Sequence, residues 1–253
     1  MPDDQLMTKI SALDHLVIVV SDLDHAIQEF TELGFNVTLG GSNGPTQNAL
    51  IGFSKNTYIE LICVPSRFSK GLLWLLARSG LLFKSSLKRR LFTWFDGQFG
   101  FRDWCLKANL NYLYGPQLRP ELNMCRTGEF TRTRPDGTEV RWVLNAPTDR
   151  NLPFLIADQT EESLRIPQND LTPHPNGLSS INKLEMSQSR VAAYQEQVGL
   201  LHPFLISQDS EIELTASSDG ESEILVWLLH DAGHSSRLHI DSNGSPTLRS
   251  DQT

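Results

Sequence analysis

The chain has 253 residues, with 22 Lys and Arg against 30 Asp and Glu, for a formal net charge of −8. That balance excludes a dedicated nucleic-acid binder, which needs cationic surface to neutralise phosphates, and the length suits one large domain or two small ones. At 39% hydrophobic and 21% charged residues the composition is globular rather than disordered. No apolar run reaches the ~18 residues of a membrane span, and MPDDQLMTKISALDH carries no apolar stretch of a secretory signal. The three cysteines, Cys63, Cys105 and Cys125, form no C-x-x-C pair and read as small buried hydrophobes of a reducing compartment, so the cytoplasm is the expected location.

Residues 13–20, LDHLVIVV, form a short β-branched run that predicts a buried strand. Ser21-Asp22 offers an N-cap, Leu23, Ala26, Ile27, Phe30 and Leu33 follow at helical spacing, and Gly34 closes the helix. A strand near 35–39 and a hairpin of 48–53 and 57–64 around Ser54-Lys55-Asn56 complete a β-α-β-β-β run. Residues 65–98 differ: a very apolar helical stretch leads into Lys84, Lys88, Arg89 and Arg90. Two readings stand. One is a helical insertion whose apolar face covers the body, able to act as a lid. The other, less favoured, is a basic amphipathic segment on a membrane surface.

A second unit opens with a strand at 101–108 and a helical turn at 109–113. A short strand near 118–122 precedes a hairpin of 129–134 and 138–144 around Pro135-Asp136-Gly137. Setting Asp22-Leu23 on Asn109-Leu110 lays LDHLVIVV over GFRDWCLK and TYIELICV over TEVRWVLN. Residues 147–177 are proline-rich, with PFLIA at 153–157 as an edge strand. A third stretch follows: SINKLEM as strand, SRVAAYQEQVG as helix, then EIELTAS and EILVWLL as a hairpin around Ser218-Asp219-Gly220. The expected organisation is a first domain over 1–160 (module 13–64, helical insertion 65–98, module 99–157), a linker over 161–177, a C-terminal α/β unit over 178–240 and a disordered tail over 241–253.

LDHLVIVVSDLDHAIQEFTELGF followed by TQNALIGFSKNTYIELI resembles the glyoxalase-like group of the vicinal oxygen chelate superfamily, which also holds bleomycin-resistance proteins and dihydroxybiphenyl dioxygenases. RTRPDGTEVRWVL, ending in PFLIA, resembles the second module of that group. The resemblance implies an α+β fold of tandem βαβββ modules curled around a shared cleft. It also implies, for members that are enzymes, a divalent metal (Zn, Mn, Fe or Ni) held by residues such as His and Glu on the first and last strands of each module. Some relatives carry no metal and sequester a ligand.

In the first module His15 and Glu60 stand at the two ligand positions. Strand alternation puts Tyr58, Glu60 and Ile62 toward the cleft, and Ile59, Leu61 and Cys63 under the helix. A carboxylate inside an apolar strand needs a partner, a metal or a cation. In the second module Arg102 falls opposite His15 and Arg141 opposite Glu60, and a guanidinium cannot ligate a metal. Two outcomes stay open. Arg102 and Arg141 hold the anionic group of a substrate, as guanidinium does with carboxylate and phosphate; or a metal is kept by His15, Glu60 and one imported donor. His174, in LTPHPNG, is the first candidate for that donor and Gln47, where relatives often carry His, the second. Arg132 and Arg134 flank the Pro-Asp-Gly turn and read as solvated hairpin charges. Gly40-Ser42-Gly44 matches G-x-S-x-G without the strand-to-helix turn a nucleophile elbow needs. His230, His234 and His239 read as a C-terminal loop rather than a zinc site.

The expected function is that of a lyase, isomerase or related enzyme acting on a small, oxygen-rich, anionic molecule in the cleft. His15 serves as ligand or general base, Glu60 as ligand or proton carrier, and Arg102, Arg141, Tyr58 and Gln47 bind substrate. The alternative is a metal-free protein that sequesters a small molecule. Two modules in one chain permit a monomer or a homodimer.

Overall fold

The computed structural model describes residues 10–43, 46–65, 86–114, 123–166, 173–196, 213–217 and 224–250. Strand β1 (Ile10–Val19) leads into helix α1 (Leu23–Glu32), whose N-cap Asp22 accepts a hydrogen bond from the His25 amide. Such a cap contributes about 1 kcal/mol. Leu23, Ala26 and Phe30 bury one stripe of α1 on the sheet. Strands β2 (Thr38–Asn43), β3 (Thr46–Phe53) and β4 (Thr57–Cys63) complete the first module. Between β3 and β4, Lys55 and Asn56 take positive φ in a tight 3-10 turn.

Of the inserted segment, helix α2 (Ser86–Phe92) and a 3-10 turn (Thr93–Phe95) are described; the apolar stretch before it lies outside the described residues. The second module is β5 (Gly100–Ala108), α3 (Leu110–Tyr114), β6 (Gly128–Thr133), β7 (Glu139–Asn145) and β8 (Phe154–Asp158). The strand expected near 118–122 also lies outside the described residues.

The eight strands close into a barrel in the order β1-β4-β3-β2-β6-β7-β8-β5. Each module repeats one pattern: its first and last strands pair in parallel, β1 with β4 and β5 with β8. PFLIA is therefore the last strand of its module rather than an edge strand, and TEVRWVL is the one before it. The modules join along an antiparallel β1/β5 seam and, on the opposite side, at the single β2/β6 pair Ser42–Thr133 among the described residues. Eight strands leave an interior just wide enough for side chains or one small ligand.

Alternation divides the strands between two cores. Leu16, Ile18, Ile59, Leu61, Trp104 and Leu106 face outward into the larger core, beneath α1 and the C-terminal unit. Val17, Val19, Ile62, Cys105, Phe154 and Ile156 face the barrel interior. A short helix α4 (Glu162–Arg165) follows β8. Its Glu162 accepts from Lys107 and from Asn56 of the β3–β4 turn, which holds α4 on the barrel.

The C-terminal unit contains β9 (Leu178–Met186), α5 (Gln188–Tyr194), β10 (Glu213–Ala216), β11 (Leu225–His230), β12 (Ser235–Ile240) and β13 (Pro246–Ser250). Its sheet order is β10-β9-β11-β12-β13. Two expectations are corrected here. EIELTAS and EILVWLL do not pair with each other, because β9 lies between them; the expected turn at 218–220 lies outside the described residues. Residues 246–250 of the expected disordered tail form β13, which pairs along β12 and packs Leu248 on the core. Tyr194 against Trp104, with ring centroids 5.3 Å apart, anchors the unit to β5. No helix among the described residues is long and apolar enough to cross a membrane.

Candidate functional site

The barrel encloses a cavity of about 290 Å³. Apolar side chains such as Ile62, Phe130, Trp142, Leu144 and Ile156 form most of its wall. Leu91, Phe92, Trp94 and Phe95, from α2 and its 3-10 extension, cover one side, with Lys88 at the edge. The inserted segment thus supplies a cover over the site. The polar groups gather at one end: His15, Asn48, Tyr58, Glu60, Arg132 and Arg165.

His15 is buried on β1 beside Asp14, which is fully buried. The β1/β5 register slips between Leu13 and His15, and this irregularity lets two consecutive side chains reach the same polar cluster. Asp14 Oδ1 lies 2.6 Å from His15 Nδ1. That contact places the Nδ1 proton toward Asp14 and leaves the Nε2 lone pair toward the cavity. Nε2 stands 3.7 Å from Glu60 Oε2. The imidazole stacks on Tyr58, centroids 4.7 Å apart, and meets the Phe154 edge at 5.3 Å, so its plane is fixed on both sides.

Arg165, at the end of α4, closes the polar end. Its Nη1 and Nη2 each donate to Asp14 at 2.8 Å, its Nε and Nη2 reach Asp158, and Nη1 also donates to the Tyr58 hydroxyl. Burial pushes the Asp14 carboxyl up, but Arg165 and His15 outweigh it and hold Asp14 well below the usual carboxylate range. Burial, against the pull of Arg165, raises the Tyr58 hydroxyl well above its ordinary value, so it stays protonated. Asn48 Nδ2 donates to Glu60 Oε1 at 2.5 Å, which orients the carboxylate toward His15.

Two polar atoms of this end are buried without a partner, Asn48 Oδ1 and Arg132 Nε. Arg132 is only 5% exposed, and its Nη2 donates to the Arg165 carbonyl at 3.0 Å. It has no ion pair with a carboxylate among the described residues. Burial lowers its pKa from the usual arginine value. Gly40 makes room here, since a Cβ at that position would strike Asn48 Oδ1 and Arg132 Nη1.

Of the residues expected at the site, the structure brings His15, Tyr58 and Glu60 together and leaves the others elsewhere. Arg141 lies outside the cavity. It sits on β7, which matches β3 rather than β4, and its side chain is 59% exposed beside Glu139. Arg102 alternates out of phase with Asp103 and Cys105, and pairs with Asp96 outside the barrel cavity. Gln47 is exposed on β3, and its neighbour Asn48 faces the cavity instead. His174 is not an imported ligand. It is buried between the edges of Phe35 and Phe53, accepts from the Asn36 amide at Nδ1 and bonds the Gly52 carbonyl through Nε2. Arg132, read from sequence as a solvated hairpin charge, is inside the barrel. Asp14, Asn48 and Arg165 gave no separate sequence signal beyond Asp14 standing next to His15.

A match to the family model of the glyoxalase-like domain spans residues 13–201, both barrel modules and the start of the C-terminal unit. The chain belongs to the glyoxalase-like domain family. Among solved structures, a hypothetical protein from Staphylococcus aureus is 15% identical over 93% of this chain and 97% of its own, with a TM-score of 0.63. Methylmalonyl-CoA epimerase from Mycobacterium tuberculosis is 18% identical over 62% of this chain and 90% of its own, with a TM-score of 0.37. No curated protein sequence is significantly similar to the chain.

The glyoxalase-like fold raises the question of a divalent metal. Among the described residues Asp14, His15 and Cys105 bring ligand-type atoms within 4.8 Å of one another. Their chemistry does not suit a metal. Both Asp14 oxygens are bound by Arg165, and His15 Nδ1 is bound by Asp14. Burial holds the Cys105 thiol well above its ordinary pKa, whereas a metal takes the thiolate. From the second module the inward strands offer Phe154 and Ile156, which have no donor atom, and Asp103, which is occupied by Arg90 and Trp94. Among the described residues His15 Nε2 and Glu60 remain, with only the neutral amide oxygen of Asn48 beside them, short of the three His, Cys or carboxylate ligands of a catalytic zinc. The donors among the described residues do not fit a divalent centre.

Proposed function

We propose that this glyoxalase-like protein binds a small organic acid with an apolar body inside its barrel and moves a proton on it, an isomerase-type reaction. One observation carries the reading: an Asp14–His15 pair at 2.6 Å presents a free imidazole nitrogen 3.7 Å from Glu60, inside an apolar cavity that also holds a buried arginine with an unbonded Nε. Arg132 takes the acid group, since it is buried with its Nε unbonded and feels the Glu60 charge only at a distance, without a direct ion pair. Asn48 Oδ1 takes a donor on the ligand. His15 Nε2 and Glu60 face one space, so a proton leaving the ligand for one of them can be returned by the other. Tyr58 keeps its proton and fixes the imidazole plane. The apolar wall and the α2 cover limit water on those sides of the cavity, which strengthens these interactions.

A second reading, sequestration without chemistry, is supported by the apolar second-module strands, which place Phe154 and Ile156 where a relative with a metal carries donors. One experiment separates them. Small carboxylic acids that raise the melting temperature are incubated with the protein in D2O, and exchange at the carbon next to the acid group is followed by NMR. The expected outcome is exchange by the wild type, slowed about 100-fold or more in His15→Gln while binding persists. Arg132→Gln is expected to lose binding itself by at least tenfold. Tight binding with no exchange for every acid found would establish sequestration instead.

A further inference from the structure

A second cavity, of about 250 Å³, lies at the start of β5, where the α2 segment and α5 of the C-terminal unit meet it. Trp94 is the wall it shares with the barrel cavity. Its lining includes four arginines, Arg90, Arg102, Arg150 and Arg190, against two carboxylates, Asp96 and Asp103.

Both carboxylates are committed. Asp103 takes Arg90 through two bonds, at 2.9 and 2.7 Å, and also accepts from Trp94 Nε1 and the Trp104 amide. Asp96 takes Arg102 Nη2 at 2.5 Å, and Gln98 holds Arg102 Nη1 at 3.2 Å. Arg150 and Arg190 have no ion-pair partner among the described residues. Nη1 of Arg190 is buried without any hydrogen-bond partner. An unmade bond on a buried cationic donor is costly, more so than on a neutral one. The charges of Asp103 and Asp149 reach Arg190, but Arg90 and Arg102 oppose them, and with Asp149 counted four arginines face three carboxylates. Two guanidinium groups without a direct ion pair, in a cavity with an excess of positive charge, match a tetrahedral oxyanion, which accepts several such donors at once.

We propose that this arginine-walled cavity binds the phosphate group of a small phosphorylated ligand. The site is built from four parts of the fold, β5, the inserted segment, the β7–β8 connection and α5, and it is independent of the proton-transfer reading of the barrel.

The full chain is titrated with inorganic phosphate and with phenyl phosphate by calorimetry, at constant ionic strength set with chloride. Saturable binding at one equivalent is expected, with Arg190→Gln and Arg150→Gln each weaker by at least tenfold. Arg190→Lys, which keeps the charge without the planar fork, is expected to recover part of the loss. Arg249→Gln, a charge-matched change on β13, is expected to bind as the wild type does. Arg132→Gln is expected to leave binding of inorganic phosphate unchanged, which separates this site from the barrel. Three results overturn the proposal: no saturable binding of either compound, binding within twofold of wild type in both Arg190→Gln and Arg150→Gln, or loss of binding in Arg132→Gln alone. Arg150 is exposed, so its variant remains informative if Arg190→Gln fails to fold.

Discussion

His174 accepts a hydrogen bond from the Asn36 amide at one ring nitrogen and bonds the Gly52 carbonyl through the other. Only the neutral imidazole satisfies both, because a proton on Nδ1 would face an N–H donor. Burial lowers its pKa from the ordinary 6.5. The unfolded chain therefore takes up this proton more readily than the folded one, so stability falls as pH drops below 6.5 and levels off once the folded value is passed. Each pH unit in that window removes up to ~1.4 kcal/mol. Urea unfolding at pH 7.5 and pH 5.5 should show the wild type losing about 1 kcal/mol more than His174→Gln, whose amide does not titrate. Equal losses in both proteins would mean that His174 stays neutral in the unfolded chain too, or charges freely in the folded one. The same residue shows why sequence alone misplaced part of the site. His-Pro-Asn-Gly reads as a donor near the cleft, but its Asn176 bonds the Leu33 carbonyl and ties the segment to the end of α1. Arg132 and Arg141 are both arginines of one hairpin. Strand pairing, which the sequence does not show, sends the first inward and the second out to solvent.

At the scale of elements, alternation was readable and module register was not. Tyr58 and Glu60 share a face because they stand two residues apart on one strand, and the parallel β1/β4 register, His15 opposite Tyr58, brings His15 to them. TEVRWVL looks more like TYIELICV than PFLIA does, so local likeness paired the wrong strands. The parallel pairing of β8 with β5, which repeats β4 with β1, is a long-range fact. The α2 helix presents a different problem: a basic segment whose Lys and Arg suggest a solvated or membrane-facing surface. Arg90 is 4% exposed and works in the opposite sense. It clamps α2 to Asp103 and to the Leu152 carbonyl at 2.5 Å, leaving Leu91 and Phe92 over the barrel cavity. Removing one partner of a buried pair leaves an uncompensated charge and costs about 3–5 kcal/mol. Arg90→Met should therefore lose about that much in urea unfolding, and amide exchange should speed up across residues 86–95. The double change Arg90→Met with Asp103→Leu should recover part of the loss, since it removes both charges. A double variant as unstable as the sum of the singles would show that the pair itself is not what holds α2.

The whole molecule depends on two seams of unequal strength. Along β1/β5 the modules share a long antiparallel ladder, while β2 and β6 meet through Ser42–Thr133 alone among the described residues. The weak seam lies next to the polar end of the cavity, because Asn43 and Arg132 flank it and line the cavity wall. Gly41 is what lets the two strands approach. Its φ is +123°, and a Cβ there would run into the Thr133 carbonyl. Gly41→Ala adds backbone strain of about 1–3 kcal/mol at a conformation L residues avoid, together with that clash. For a chain of this size each kcal/mol moves the melting temperature by about 2–4 °C, so a drop of roughly 5–10 °C is expected. Acid binding should weaken with it, because opening this seam moves Arg132 away from Asn48 in the other module. Gly137, which also has positive φ but meets nothing within 4 Å, provides the control: Gly137→Ala carries the strain without the clash. If the two variants melt at the same temperature and bind acids alike, the barrel does not rely on the close approach at Gly41, and the cavity is held shut by the β1/β5 ladder alone.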